Sequence, residues 1–170
     1  MVTTKIKVSI FKMPESLKDH LMRKIAEASV LYHRLVLLVA PAGSGKTTVL
    51  QDVCEGIGAP MINVNLGLSK RMLDLTERQR VLQLPRLLQG MVGEVEGDTV
   101  ILDNIEVLFD ISLKQDPLRL LHGIARNKTV VVAWNGAIEG DHVTYAVPDH
   151  PEYRRYSHRD LIIVRPESTT

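Results

Sequence analysis

One cysteine, Cys54, stands alone among 170 residues. A disulfide framework within the chain is therefore impossible, and a reducing compartment is the expected setting. Long apolar runs are also missing, and none approaches the roughly 18 to 20 residues that a membrane-spanning helix needs. No membrane partner is expected. Excess charge of one sign is absent too: 21 Lys and Arg offset 20 Asp and Glu, a formal net charge of +1. Nothing global points to nucleic acid, although DNA contact stays open. The opening MVTTKIKVSIFK alternates polar and apolar residues and lacks the continuous apolar core of a secretory leader. A cytoplasmic location is expected. There is no internal repeat and no low-complexity tract. The histidines at 20, 33, 122, 142, 150 and 158 have no metal-ligand spacing with a cysteine, which argues against zinc. No GxSxG element suggests a hydrolase nucleophile.

What remains is an ordinary globular composition, 45% hydrophobic and 24% charged. The length suits one domain with a full core. The expected division is an N-terminal arm and helix over 1–34, a core over 35–165, and a frayed tail over 166–170. Cys54 reads as a small core hydrophobe.

Residues 40 to 47 read APAGSGKT, directly after the apolar run Leu35-Val36-Leu37-Leu38-Val39. A buried strand running into a glycine-rich turn that ends in Lys-Thr is the sequence form of a phosphate-binding P-loop. Gly43 and Gly45 let the backbone curl so that successive N–H groups point inward. The helix starting near Lys46 adds the positive end of its dipole. Lys46 can reach the β- and γ-phosphates, and the Thr47 hydroxyl can ligate Mg²⁺. Ala40 stands where the pattern usually opens with glycine. The expected nucleotide-binding residues are Ala40, Pro41, Ala42, Gly43, Ser44, Gly45, Lys46, Thr47 and Thr48.

Along the chain, Ile6, Val8 and Ile10 alternate with polar neighbours, as an edge strand or an arm would. Pro14 precedes a helical pattern with Leu17, Leu21, Ile25, Ala28 and Tyr32 on one face. Strand 35–40 leads to a helix over 46–56, closed by Gly56 and Gly58. A second strand is expected over 60–64. Residues 69–95 read as helix, with a capping box at Thr76 and Gln79 and a break at Pro85. Thr99 to Leu102 form a third strand ending at Asp103. Asp116-Pro117 start a helix through Arg126. Thr129 to Trp134 form a fourth strand ending at Asn135-Gly136, and two final strands span 142–147 and 160–164 around PDHPEYRRY. The alternation implies a mostly parallel sheet with ligands beyond the strands' carboxyl ends. Those ends are 40–47, Asn65, 103–106 and Trp134-Asn135.

In TVILDNIE, residues 99–106, four apolar residues deliver Asp103 to a strand tip, where its carboxylate can hold Mg²⁺ with Thr47. Hydrolysis also needs a group that orients or deprotonates water. Asn104 follows Asp103 directly and cannot be a base. Glu106 is the candidate, at an offset that resembles the STAND branch of ATPases; the other reading is a solvated carboxylate at a helix start. Asn135 resembles the γ-phosphate sensor of RecA- and AAA-like ATPases; the other reading is a turn before Gly136. Trp134 reads as packing rather than base stacking. Arg119, Arg126, Arg154, Arg155 and Arg159 are candidates for an extra cation, with none singled out. Lys70, Arg71, Arg78 and Arg80 read as a solvated helical face, the other reading being contact with DNA or a partner.

With the P-loop, LDNIEVLF, VVVAWNG and PDHPEYRRY in place, the chain resembles the BrxF family over residues 15–165. These are the small P-loop proteins of type-3 BREX phage-defence systems in bacteria. The resemblance implies a nucleotide-binding accessory of a multi-gene system that includes a DNA methyltransferase and a PglZ-type protein. It carries Lys46, Thr47 and Asp103 onto nucleotide and Mg²⁺ roles. The expected architecture is an α/β three-layer P-loop NTPase sandwich of the additional-strand type, order 5-1-4-3-2, with Thr129 to Trp134 inserted between the P-loop strand and the Asp103 strand. No C-terminal helical lid is expected, so self-association or another BREX protein would complete the site. The expected activity is ATP binding and hydrolysis with Mg²⁺, ATP being favoured because no guanine-reading NKxD element is present. A small-molecule kinase and a non-catalytic nucleotide-binding scaffold are the alternatives.

Overall fold

Strand β1 (Leu35–Ala40) is buried at all six positions. Leu35, Leu37 and Val39 face one hydrophobic cluster, and Val36 and Leu38 face the other. Only a strand covered on both sides tolerates such a run, because alternate residues point to opposite faces. The computed structural model describes residues 15–166; the expected alternating strand or arm at Ile6, Val8 and Ile10, and Pro14, lie outside it, as do residues 167–170.

Among the described residues seven strands form one sheet. They are β1, β2 (Met61–Asn63), β3 (Thr99–Asp103), β4 (Thr129–Glu139), β5 (His142–Tyr145), β6 (Arg154–Ser157) and β7 (Ile162–Val164). The main path is β2-β3-β4-β1-β7, parallel at every pairing. β4 therefore lies between β1 and β3, in the inserted position expected for 129–134. Helices α1 (Leu17–Ala28) and α2 (Lys46–Ile57) cover one face. The other is covered by α3 (Val64–Met72), α4 (Glu77–Glu94), α5 (Pro117–Ile124) and two 3₁₀ turns, Glu106–Phe109 and Ile111–Leu113.

Several boundaries correct the sequence reading. α1 ends at Ala28, and Tyr32 lies beyond it, 71% exposed rather than on the buried face. α2 runs through Gly56 to Ile57 and closes only at Gly58, whose N–H donates to the Cys54 carbonyl. β2 is three residues long because the Asn63 side chain accepts from Leu66 N at 3.0 Å and starts α3 at once, earlier than Ser69. The Thr76–Gln79 capping box forms, but Pro85 does not break α4. Proline removes the donor that would reach the Val81 carbonyl. The Gln115 side chain supplies a replacement, donating from Nε2 to Val81 O at 2.8 Å. α5 stops at Ile124 rather than Arg126, with the Ala125 N–H bonded to Leu121 O.

The largest correction concerns β4. Asn135-Gly136 is no turn: the strand continues to Glu139 and forms an antiparallel ladder with β5, which in turn pairs with β6. Gly136 permits this, since a Cβ there would sit 1.7 Å from Thr144 O. β6 arises from EYRRYS, read from sequence as irregular connection. β5 ends at Tyr145 and β7 begins at Ile162, both shorter than expected.

Candidate functional site

Every side chain at the candidate site comes from the carboxyl end of the parallel sheet or the segment just beyond it. β1 leads into the loop 41–45. Gly43 (φ 75°) and Gly45 (φ 88°) adopt left-handed backbone, and a Cβ on either would meet nothing within 4 Å. Conformation, not crowding, therefore calls for glycine. Gly45 is the N-cap of α2 and no side chain caps that helix. The first-turn N–H groups stay free to meet an anion at the positive end of the dipole. Pro41, Ala42, Gly43, Ser44, Gly45, Thr47 and Thr48 are exposed, so the cradle opens to solvent. Ala40 lies within β1, paired with Asn135, and is not among the residues of positive φ. The position has no need of the usual glycine.

Lys46 is buried, and its Nζ donates to Pro41 O at 2.7 Å, Ala40 O at 3.0 Å and more weakly to Ser44 Oγ at 3.5 Å. Burial pushes its pKa below the ordinary lysine value, while Asp103 and Glu106 pull the other way. This ammonium is held at the loop by neutral carbonyls, a place where phosphate oxygens would relieve the desolvation.

Across from it, Thr47 Oγ1 donates to Asp103 Oδ2 at 2.7 Å. Asp103 is 8% exposed, and its Oδ1 accepts from the Asn104 N–H at 2.9 Å. Hydroxyl and carboxylate oxygens this close are the hard donor set that Mg²⁺ prefers. The residues present thus fit that ion. Asn104 has φ 52°, a left-handed conformation that asparagine tolerates, and its carbonyl accepts from Asn65 N at 2.8 Å. Its role is to tie the end of β3 to the start of α3.

Glu106 is not a loosely solvated carboxylate. Oε1 accepts from Asn135 Nδ2 at 2.7 Å, and Oε2 accepts from Asn65 Nδ2 at 2.8 Å. Asn65 is itself fixed, its Oδ1 accepting from Val107 N at 2.7 Å. Two amides, one from the first turn of α3 and one from within β4, thus orient one carboxylate beside the P-loop. Sequence placed Asn65 at a strand end without a role, because no local signal links it to a residue 41 positions away.

Trp134 is fully buried and donates to Thr144 O at 2.9 Å. It sits edge-on to Phe109 at 5.2 Å, which agrees with packing rather than base stacking. Tyr145, not singled out in the sequence, stacks on Phe109 at 3.4 Å. Burial foremost, with Glu106 second, drives its phenol pKa well above the ordinary value. None of Arg119, Arg126, Arg154, Arg155 and Arg159 hydrogen-bonds to Lys46, Thr47, Asp103, Glu106 or Asn135 among the described residues. Of the other basic cluster, Arg71 pairs with Glu94 at 3.0 Å and Arg80 donates to the Met72 and Leu75 carbonyls, so both serve the helices. No group of three or more His, Cys, Asp or Glu side chains is poised for a metal among the described residues. No described helix is long and apolar enough to cross a membrane.

No family model matches the chain, and no curated protein matches it. Among solved structures it is similar to C. elegans PCH-2, with a TM-score of 0.52 and 16% identity over 91% of this chain. The match spans 44% of PCH-2, less than half of that chain. At this identity the likeness is one of fold, a mostly parallel α/β sheet flanked by helices.

Proposed function

We propose that the chain binds ATP with Mg²⁺ at the loop 40–48 and hydrolyses it slowly, as a switch or assembly protein. The observation that carries this reading is the pair formed by Thr47 and Asp103 at 2.7 Å, opposite a buried Lys46. The mostly parallel α/β fold, similar to that of C. elegans PCH-2, is compatible with it. Loop N–H groups and Lys46 would hold the β- and γ-phosphates. Mg²⁺, held by Thr47 and Asp103, would neutralise charge on the phosphate oxygens when bound. Glu106, oriented by Asn65 and Asn135, would accept a proton from a water whose oxygen attacks the γ-phosphorus in line; the bond to the β,γ-bridging oxygen breaks and ADP leaves.

The resemblance to BrxF assigns this switch to a bacterial BREX phage-defence system. Self-association or contact with other BREX proteins would supply the cation that the site lacks among the described residues. The assignment to the additional-strand, RecA- and AAA-like branch rests on the strand order.

A second reading, nucleotide binding without turnover, is favoured by one specific observation: amides already occupy both oxygens of Glu106. Calorimetry with Mg-ATP, Mg-ADP and Mg-GTP on the wild-type chain and on Lys46→Ala tests the shared premise. Binding of ATP that falls at least about tenfold in the variant is expected, since one phosphate-facing cation is lost. No uptake at millimolar nucleotide would end both readings. Steady-state phosphate release then separates them.

A further inference from the structure

On the outer side of α5, Arg119 and His122 stand three residues apart on one face, and Arg126 follows just beyond the helix end at Ile124. His33, from the connection between α1 and β1, stands opposite. With Asp116, Gly123 and Tyr156 they line a concavity of about 450 Å³. The His33 and His122 ring centroids are 4.8 Å apart, and His33 Nδ1 lies 3.3 Å from the His122 carbonyl. The Arg126 guanidinium sits over the exposed Tyr32 ring, 5.4 Å from its centroid. Neither Arg119 nor Arg126 pairs with a carboxylate among the described residues.

One acid, Asp116, lies in this lining. Its Oδ1 is engaged by Arg119 N at 3.2 Å and by the Tyr156 hydroxyl at 3.0 Å. Two permanent cations and two imidazoles therefore face a single carboxylate that is already held. The guanidiniums are planar donor forks of the kind that match phosphate oxygens.

We propose that this groove binds a phosphate group, borne either by a small phosphorylated molecule or by a nucleic-acid strand. Arg119 and Arg126 grip the oxygens, the two imidazoles donate from the lining, and Tyr32 supports the Arg126 guanidinium from beneath. This site lies along α5 and is independent of the P-loop.

Protonation and binding reinforce each other here. Burial, and then the neighbouring His33, lower the pKa of His122, while Asp116 opposes them. The groups facing His122 are His33 from the connecting segment, Asp116 at the N-cap of α5, Arg119 from α5, Arg126 just beyond its end, and Tyr156 from β6. A seated anion favours the charged imidazole, so binding takes up protons. Affinity then rises as pH falls through the imidazole range and weakens above it, by up to about tenfold per pH unit for each linked proton.

The test is an NMR titration of the full chain, labelled at histidine, with Mg-ADP saturating. His33 and His122 resonances are assigned through His33→Gln and His122→Gln. This readout is local, so phosphate reaching the P-loop does not register. Inorganic phosphate and a single-stranded oligothymidylate are the two probes. At least one should shift both ring resonances and raise the His122 midpoint. Arg119→Ala with Arg126→Ala should weaken that probe at least about tenfold. Should that variant unfold, Arg119→Lys with Arg126→Lys keeps the charge and should still weaken the probe about threefold or more through loss of the forked contact. Response to phosphate alone identifies a small-molecule site, and response to the oligonucleotide alone identifies a strand. Silence of both rings with both probes, or undiminished affinity in the variants, overturns the proposal.

Discussion

Replacing Glu106 with glutamine hardly changes the side chain's size but converts one of its two acceptors into an NH₂ donor. In the wild type both oxygens accept, from Asn135 Nδ2 at 2.7 Å and Asn65 Nδ2 at 2.8 Å. Glutamine satisfies one of those amides and faces the other N–H to N–H. A hydrogen bond to a charged group is worth about 1.5–3 kcal/mol. Glu106 is half-buried, and solvent reduces the loss to about 1–2 kcal/mol. For a domain of this size that lowers Tm by about 2–8 °C. The same substitution removes the candidate base, which should slow hydrolysis by about 10²- to 10⁴-fold. ATP affinity, set by the loop and Lys46, should stay within about threefold, because uniform binding is untouched. Single-turnover phosphate release, equilibrium ATP binding and thermal unfolding read these three quantities separately. Trp134, the sole tryptophan and fully buried, reports unfolding by fluorescence. An unchanged Tm would mean that the two amides do not grip the carboxylate in solution. Turnover within threefold of wild type would remove Glu106 from the chemistry.

Pro85→Ala restores the missing donor in α4 and should stabilise the chain by about 1–2 kcal/mol. Gln115→Ala should cost about 1–2 kcal/mol through its bonds to Val81 O and Leu113 O. Urea titration of both singles and the double variant should show a smaller Gln115→Ala cost in the Pro85→Ala background, and equal costs would refute the substitute-donor account. Gly136→Ala drives a Cβ into Thr144 O; a loss above about 3 kcal/mol and a shifted Trp134 emission are expected, and a near-neutral effect would mean that the β4–β5 pairing is wrong. Burial is the chief cause holding the Cys54 thiol above its ordinary pKa. Its thiolate is therefore scarce at neutral pH, and labelling by a disulfide reagent should quicken about tenfold per pH unit up to pH 9. A fast, pH-independent reaction at pH 7 would contradict that burial.

The P-loop is legible because its chemistry restricts residue types within eight contiguous positions. Backbone curl needs Gly43 and Gly45, and phosphate needs Lys46. The strand path is nearly as legible, since apolar runs at 35–40, 99–102 and 129–134 leave little choice but a doubly covered parallel sheet. Legibility fails where a long-range partner overrides a local signal. Pro85 reads as a breaker because Gln115, which rescues it, lies 30 residues away. Asn135-Gly136 reads as a turn because nothing nearby reveals that β5 will return against it. Glu106 reads equally as a candidate base and as a solvated helix start, because the amides that hold it come from α3 and β4, far away in sequence. β6 hides in a proline-rich stretch, its half-buried Tyr156 finding Asp116 on α5.

Eleven residues of β4 run unbroken from the middle of the sheet to the tip of the outer hairpin. Asn135 sits partway along that span, next to Ala40 at the root of the phosphate loop. One continuous strand thus joins the residue that grips Glu106 to the β4–β5 hairpin. A substitution that loosens the β4–β5 ladder should therefore also disturb the bond between Asn135 and Glu106.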